Sequence, residues 1–151
     1  MSIIDELIFD RTNDDLVKGN PKGKYDYVDY NRVGQAINYV ANEIGLVGIS
    51  AKTDWTNLDI PRVSDMNQYR GYIYTIRQAL GMSNGWPQTN NAILTITGAN
   101  QIEKLLYDAY HLSNRMMRWS DVNNLQETWD TLDAKQLSWS EYFIKPDYEG
   151  A

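Results

Sequence analysis

Residues 97–119 read TGANQIEKLLYDAYHLSNRMMRW, and their apolar members Ile102, Leu105, Ala109, Leu112, Met116 and Trp119 recur at alternating spacings of three and four. That is the seam pattern of a helix packed along its length against other helices. Thr97 is placed as an N-cap, Lys104 and Asp108 stand one turn apart for an ion pair, and Arg115 and Arg118 fall in the last turn, where the helix dipole favours cations. No catalytic or cofactor signature lies on this stretch, so it decides the fold class and leaves the function open.

Two further stretches carry the same period. Val33, Ile37, Val40 and Ile44 follow Asp29, a candidate N-cap, and precede Gly45, so the pattern predicts a helix over 30–44. Met66, Tyr69, Ile73, Ile76 and Leu80 follow Pro61 and a capping Ser64, with Gly81 just beyond. Gly71 inside this third helix costs about 1 kcal/mol relative to Ala, which marks it as a point of close approach to another helix. Between the helices, Val47, Ile49 and Ala51 alternate as an extended segment, and residues 92–96, AILTI, read as a short strand to pair with it. The predicted class is mainly α: a three-helix bundle over 25–118 with short extended segments.

At the start, Ile3, Ile4, Leu7, Ile8 and Phe9 form a short apolar segment, Thr12 and Asp15 have capping-box spacing, and KGNPKGK at 18–24 is a loop. Residues 1–24 read as an N-terminal arm, free to lie on a neighbouring surface of the same chain or of another. At the other end, Trp119, Trp129 and Trp139 are spaced by ten and open the phrases WSDVNNLQET, WDTLDAKQLS and WSEYFIK, each with Val122, Leu132 or Tyr142 three residues on. These predict a C-terminal arm, 119–151, of short Trp-led helical turns, which are unstable alone in water and must lie on the bundle or on another subunit.

With 151 residues, 42% apolar and 12% aromatic, the chain is long enough for one domain with a real core. The absence of cysteine excludes disulfides, thiolate metal sites and cysteine nucleophiles. The net charge of −6 sits mostly in the tail: residues 1–118 hold thirteen acidic and twelve basic side chains, and 119–151 hold seven and two. An acidic chain without a basic stripe is a poor nucleic-acid binder. Neither a basic leader nor a run of eighteen apolar residues occurs, so no membrane association is expected and the chain is expected to be made in the cytoplasm.

His111 is the single histidine, so a metal cluster or a nucleophile–histidine pair has little to build on. The carboxylates Asp14 and Asp15, or Asp54 and Asp59, are nominal candidates for a hydrolase of wall polymers and read more simply as solvated surface. Neither GNPKGK nor TGAN fits a phosphate-binding loop signature. Trp86, within NGWP, with Tyr72 and Tyr74, is a candidate aromatic platform for sugars, and so are the tail tryptophans, although an apolar residue three after each Trp suits packing better than display.

The stretches IFDRT (8–12), DYNRVG (29–34), Trp55 through Asp59-Ile60-Pro61, MNQY (66–69) and TGANQIEKLL (97–106) resemble a family of small proteins encoded by phages and prophages of Gram-positive bacteria. Members of that family are found near tail and baseplate genes and are sometimes joined to larger tail proteins. The Trp-led phrases resemble short repeats of related tail proteins. The resemblance covers most of the chain and supplies no catalytic residue and no cofactor.

It implies a non-enzymatic structural protein of the tail, baseplate or fibre region, present in the host cytoplasm during assembly and then in the virion. The expected partners are further copies of itself and other tail or baseplate proteins. Trp119, Trp129, Leu132, Trp139 and Tyr142 in the tail, with Ile4, Leu7 and Ile8 at the start, are the candidate interface residues. The rival expectation is a glycan-binding module for host cell-wall polysaccharide, built on Trp86, Tyr72 and Tyr74.

Overall fold

A computed structural model describes residues 1–82 and 94–132, the stretch 116–132 as helical backbone only. The fold is mainly α, with no strand among the described residues. Packing divides the chain into a first unit, Met1–Ser113, and a second, Asn114–Ala151.

In the first unit Ser2 caps a 3-10 turn, Ile3–Glu6, whose Ile4 is 1% exposed, and Leu7 just beyond is also buried. Helix α1, Asn13–Lys18, starts at the expected capping box: Thr12 Oγ accepts from Asp15 N, and Asp15 Oδ2 accepts from Thr12 N. Gly19, at φ 65°, ends it in the left-handed region that only glycine enters freely. The 18–24 loop is an ordered 3-10 turn, Pro21–Gly23, packed back on α1 so closely that a side chain on Gly23 would overlap the Asp15 carbonyl.

Helix α2, Tyr27–Glu43, begins three residues earlier than predicted. Asp26 is the N-cap, accepting from Val28 N at 2.9 Å, and Asp29 is the reciprocal member of the box, accepting from Asp26 N at 2.9 Å. Helix α3, Val63–Ala79, has Ser64 inside it; its start is held by Asp65 Oδ2, which accepts from Arg62 N at 2.7 Å. Helix α4, Ile96–Leu132, starts at Thr95, whose Oγ1 accepts from Gly98 N, in place of the predicted cap Thr97.

Val33, Ile37 and Val40 of α2, Met66, Tyr69, Ile73 and Ile76 of α3, and Ile102, Leu105, Leu106 and Ala109 of α4 form one core together with Ile4 and Leu7. Of the two surfaces expected for the N-terminal segment it takes the one on its own chain: Ile4 and Leu7 are buried in the core, which removes them as interface anchors, and Ile8 is half-buried beside them.

Three other expectations change. Residues 44–62 hold no strand; Ala51 is pinned by the α2 side chain of Asn38 instead of by a partner strand, Leu94 and Thr95 are not extended pairing partners, and Ile96 is helical. Gly71 has nothing within 4 Å of where a Cβ would sit. The close approach is at Gly34, where a Cβ would overlap the Lys52 carbonyl and stand 2.8 Å from the Tyr69 hydroxyl.

The second unit contains α4 from 114 to 132. Trp119 and Trp129 lie within this one continuous helix, so the first Trp-led phrases are not separate turns. No Gly or Pro interrupts 119–132, and Met116, Trp119, Val122, Leu125, Trp129 and Leu132 keep a three-or-four spacing that sustains a helix. Trp139 and Tyr142 lie outside the described residues, as do Trp86 and the first two residues, Ala92 and Ile93, of the second predicted strand.

Candidate functional site

Among the described residues, four charged side chains form a group largely shielded from solvent. Arg11 follows the N-terminal apolar segment, Asp29 and Arg32 stand one turn apart on α2, and Glu103 faces them from α4. Arg11 Nη2 donates to Asp29 Oδ1 at 2.9 Å and to Glu103 Oε1 at 2.7 Å. Arg32 donates to Glu103 through Nε and Nη2, both at 3.0 Å, and to Asp29. Glu103 is 0% exposed and takes a further bond from Ile8 N at 2.6 Å, while Arg11 Nη1 donates to Ile8 O at 2.5 Å.

Two cations and two anions cancel, and the carboxylates are saturated with donors, which is what lets charges survive out of water. Burial acts to lower the pKa of Arg32, but its bonds to Glu103 and Asp29 outweigh that and hold it above the ordinary arginine value. Asn100 completes the join by exchanging two bonds with the Arg11 backbone, Asn100 Nδ2 to Arg11 O at 2.9 Å and Arg11 N to Asn100 Oδ1 at 3.1 Å. The cluster is a clasp between the N-terminal segment, α2 and α4. With its oxygens and most of its donors occupied, it offers no open position to a substrate.

A second buried polar group sits under the 44–62 loop. Tyr69 Oη accepts from Trp55 Nε1 at 2.9 Å and donates to the Lys52 carbonyl, in the space left by Gly34. Two asparagines on α2, Asn31 and Asn38, each exchange a pair of bonds with the loop backbone: Asn38 with Ala51 at 2.7 and 2.9 Å, Asn31 with Trp55 at 2.7 and 2.9 Å. An amide side chain presents one donor and one acceptor side by side, so it satisfies an extended backbone as a neighbouring strand would.

Tyr72 and Tyr74 do not form a platform. Tyr72 is half-buried and accepts from Gln68 Nε2 at 3.1 Å, whereas Tyr74 is exposed and packs under Arg77, 5.1 Å from its ring. Two residues apart on a helix, they face different directions. Asp14 pairs with Lys18 at 2.6 Å and Asp54 with Lys52 at 2.7 Å, while Asp15 and Asp59 are turn caps. The Asp59 carboxyl is held below the usual 3.8 by hydrogen bonds from Thr56 N and Oγ1. His111 is exposed, its ring tilted against Tyr107 at 4.3 Å and edge-on to Tyr110 at 5.3 Å. No group of three metal-ligating side chains occurs among the described residues, and no described helix is long and apolar enough to cross a membrane.

Fold and clasp together define a small mainly α protein whose charged and amide side chains serve to join its segments. No protein family, no curated protein and no solved structure matches the chain.

Proposed function

We propose that the protein is a non-enzymatic structural component of a phage virion, from the tail, baseplate or fibre region, that acts by subunit assembly. One observation carries the mechanism: α4 runs on from the core of the first unit into the second as continuous helix, to Leu132. On that extension Val122, Leu125, Trp129 and Leu132 fall on one face of the helix by their spacing, with Trp119 at its edge. Such a stripe is stable when it is buried against another apolar surface. Burial contributes roughly 25 cal/mol per Å² before association costs, and tryptophan is the residue type most enriched in interface hot spots.

The sequence resemblance supports the virion setting. Its residues Arg11, Asp29, Asn31, Arg32, Trp55, Tyr69, Asn100 and Glu103 take part in the clasp and in one of the two loop clamps, while the other, Asn38 with Ala51, lies outside the resembling stretches. The resembling stretches thus fall on residues that hold the fold together, and the reading needs no catalytic group. Mass spectrometry of purified particles from a phage encoding this chain tests it. Stoichiometric recovery with tail proteins supports the reading, and absence from intact particles contradicts it. Saturable quenching of tryptophan fluorescence by host-wall polysaccharide would move the function to adhesion.

A further inference from the structure

Five large apolar side chains that the fold leaves exposed collect around one cleft of the first unit. The cleft, of about 360 Å³, lies between the start of α2 and the loop before α3 and is lined among others by Tyr27, Asn57, Asp59 and Pro61. Val28 follows Tyr27, Leu58 and Ile60 stand on either side of Asp59, and Val63 is two residues beyond Pro61. Leu58 is 86% exposed and Ile60 85%, with Tyr27, Val28 and Val63 exposed beside them. Single exposed apolar residues are ordinary, whereas a group of them marks an interaction surface. The loop that displays Leu58 and Ile60 is fixed at both ends. Asn31 exchanges two bonds with Trp55, Asp59 Oδ2 accepts from Thr56 N and Oγ1 at 2.7 and 2.9 Å, and Arg62 N is tied to Asp65 at the start of α3. A surface set in advance in this way has little ordering entropy left to lose when a partner covers it.

We propose that this surface is a two-fold contact with a second copy of the chain, separate from the helical extension. Charge argues for that occupant. Arg62, between Pro61 and Val63, is exposed and forms no ion pair among the described residues, and the same holds for Asp26 and Asp59 on the cleft wall. A patch that holds both signs unpaired complements itself: a two-fold axis through it sets Arg62 of each copy against the carboxylates of the other, at the rim of an apolar centre. An anionic membrane surface would meet Asp26 and Asp59 as like charges, so charge favours the second copy over a membrane.

The test is sedimentation velocity over a concentration series, with Ile60→Asp introduced into a full-length Trp129→Ala background that removes an anchor of the extension. Trp129→Ala alone should form a dimer. Adding Ile60→Asp should weaken that dimer by roughly tenfold or more, because it puts a carboxylate into an apolar contact, and the exposure of Ile60 keeps the fold out of the result. Arg62→Glu should weaken it as well, while Val17→Asp, at a position 84% exposed on α1 and outside the patch, should leave it intact. A Trp129→Ala protein that stays monomeric, or a dimer that Ile60→Asp does not weaken, would overturn the proposal. So would flotation with phosphatidylcholine vesicles that Ile60→Asp abolishes, which would give the surface to a membrane. A dimer of equal mass in the unmodified chain and in Trp129→Ala, dissociated by Ile60→Asp, would support this contact and count against assembly through the extension.

Discussion

Arg11 and Glu103 lie 92 positions apart in the chain and meet at 2.7 Å, both buried. The pair joins the N-terminal segment to α4, and with Asp29 and Arg32 it makes the clasp an all-or-none unit. Removing one partner leaves the others charged, buried and unmatched, which costs far more than the bond itself.

Glu103→Ala should therefore destabilise the fold by about 3–5 kcal/mol, leaving Arg11 and Arg32 facing Asp29 alone. Chemical denaturation of the variant measures this. A loss below 1 kcal/mol would show that the clasp is not a determinant of the fold.

The two glycines Gly34 and Gly71 should respond in opposite directions to alanine. Gly71 has open space around it in the middle of α3, so Gly71→Ala should stabilise by about 0.5–1 kcal/mol. Gly34→Ala forces a methyl against the Lys52 carbonyl and the Tyr69 hydroxyl and should destabilise by at least 1–3 kcal/mol, the usual range for overpacking. Thermal unfolding of both variants decides the point, and equal shifts would contradict the packing described.

These two positions also show what the sequence reveals. The period of Ile102, Leu105 and Ala109, or of Met66, Tyr69 and Ile73, identifies the helices because burial of one face repeats every three or four residues. The same logic cannot see a long-range contact, so it assigns close approach to Gly71 and misses Gly34, whose neighbours lie in a loop and on another helix. Asp29 reads as a cap from its place before an apolar period. Its burial against Arg11 and Arg32 depends on residues far from that window. Alternation at Val47, Ile49 and Ala51 reads as a strand, but Val47 is exposed and of the three Ala51 is the one paired, through Asn38 on α2 and not through a neighbouring strand.

Asn38→Ala should release that loop, since Ala51 loses both of its bonds to the side chain. Hydrogen exchange at the Ala51 amide is expected to accelerate by roughly ten- to hundredfold, as for one or two lost bonds of ordinary strength, with α3 and α4 protection unchanged. Unchanged exchange at Ala51 would mean the clamp is not what orders the loop.

Alkaline pH tests the buried phenols. Burial raises the Tyr25 hydroxyl well above 10 in the folded chain, with Glu103 and Asp29 adding to the effect, while the unfolded chain ionises near 10. Below pH 10 both states are protonated and the stabilisation is complete; above it the unfolded state loses a proton that the folded state keeps, so stability falls as pH rises toward the folded value. Tyr25→Phe should flatten this decline between about pH 10 and 11. An identical slope in the variant would place the effect on other groups.

At the acid end, Thr56→Val removes one of the hydrogen bonds that hold Asp59 below 3.8 and leaves the backbone bond in place. The Asp59 carboxyl should titrate part of the way back toward 3.8, which carbon-detected NMR can follow. No movement would mean the side-chain bond contributes nothing.

The central claim, that the helical extension of α4 is an assembly surface, is tested most directly by the solution mass of the full chain and of its Trp129→Ala variant, measured by light scattering alongside circular dichroism. The account predicts a closed oligomer for the full chain and a shift to smaller species for the variant, with helical content retained. A full chain that stays monomeric, or a variant whose mass is unchanged, would contradict it.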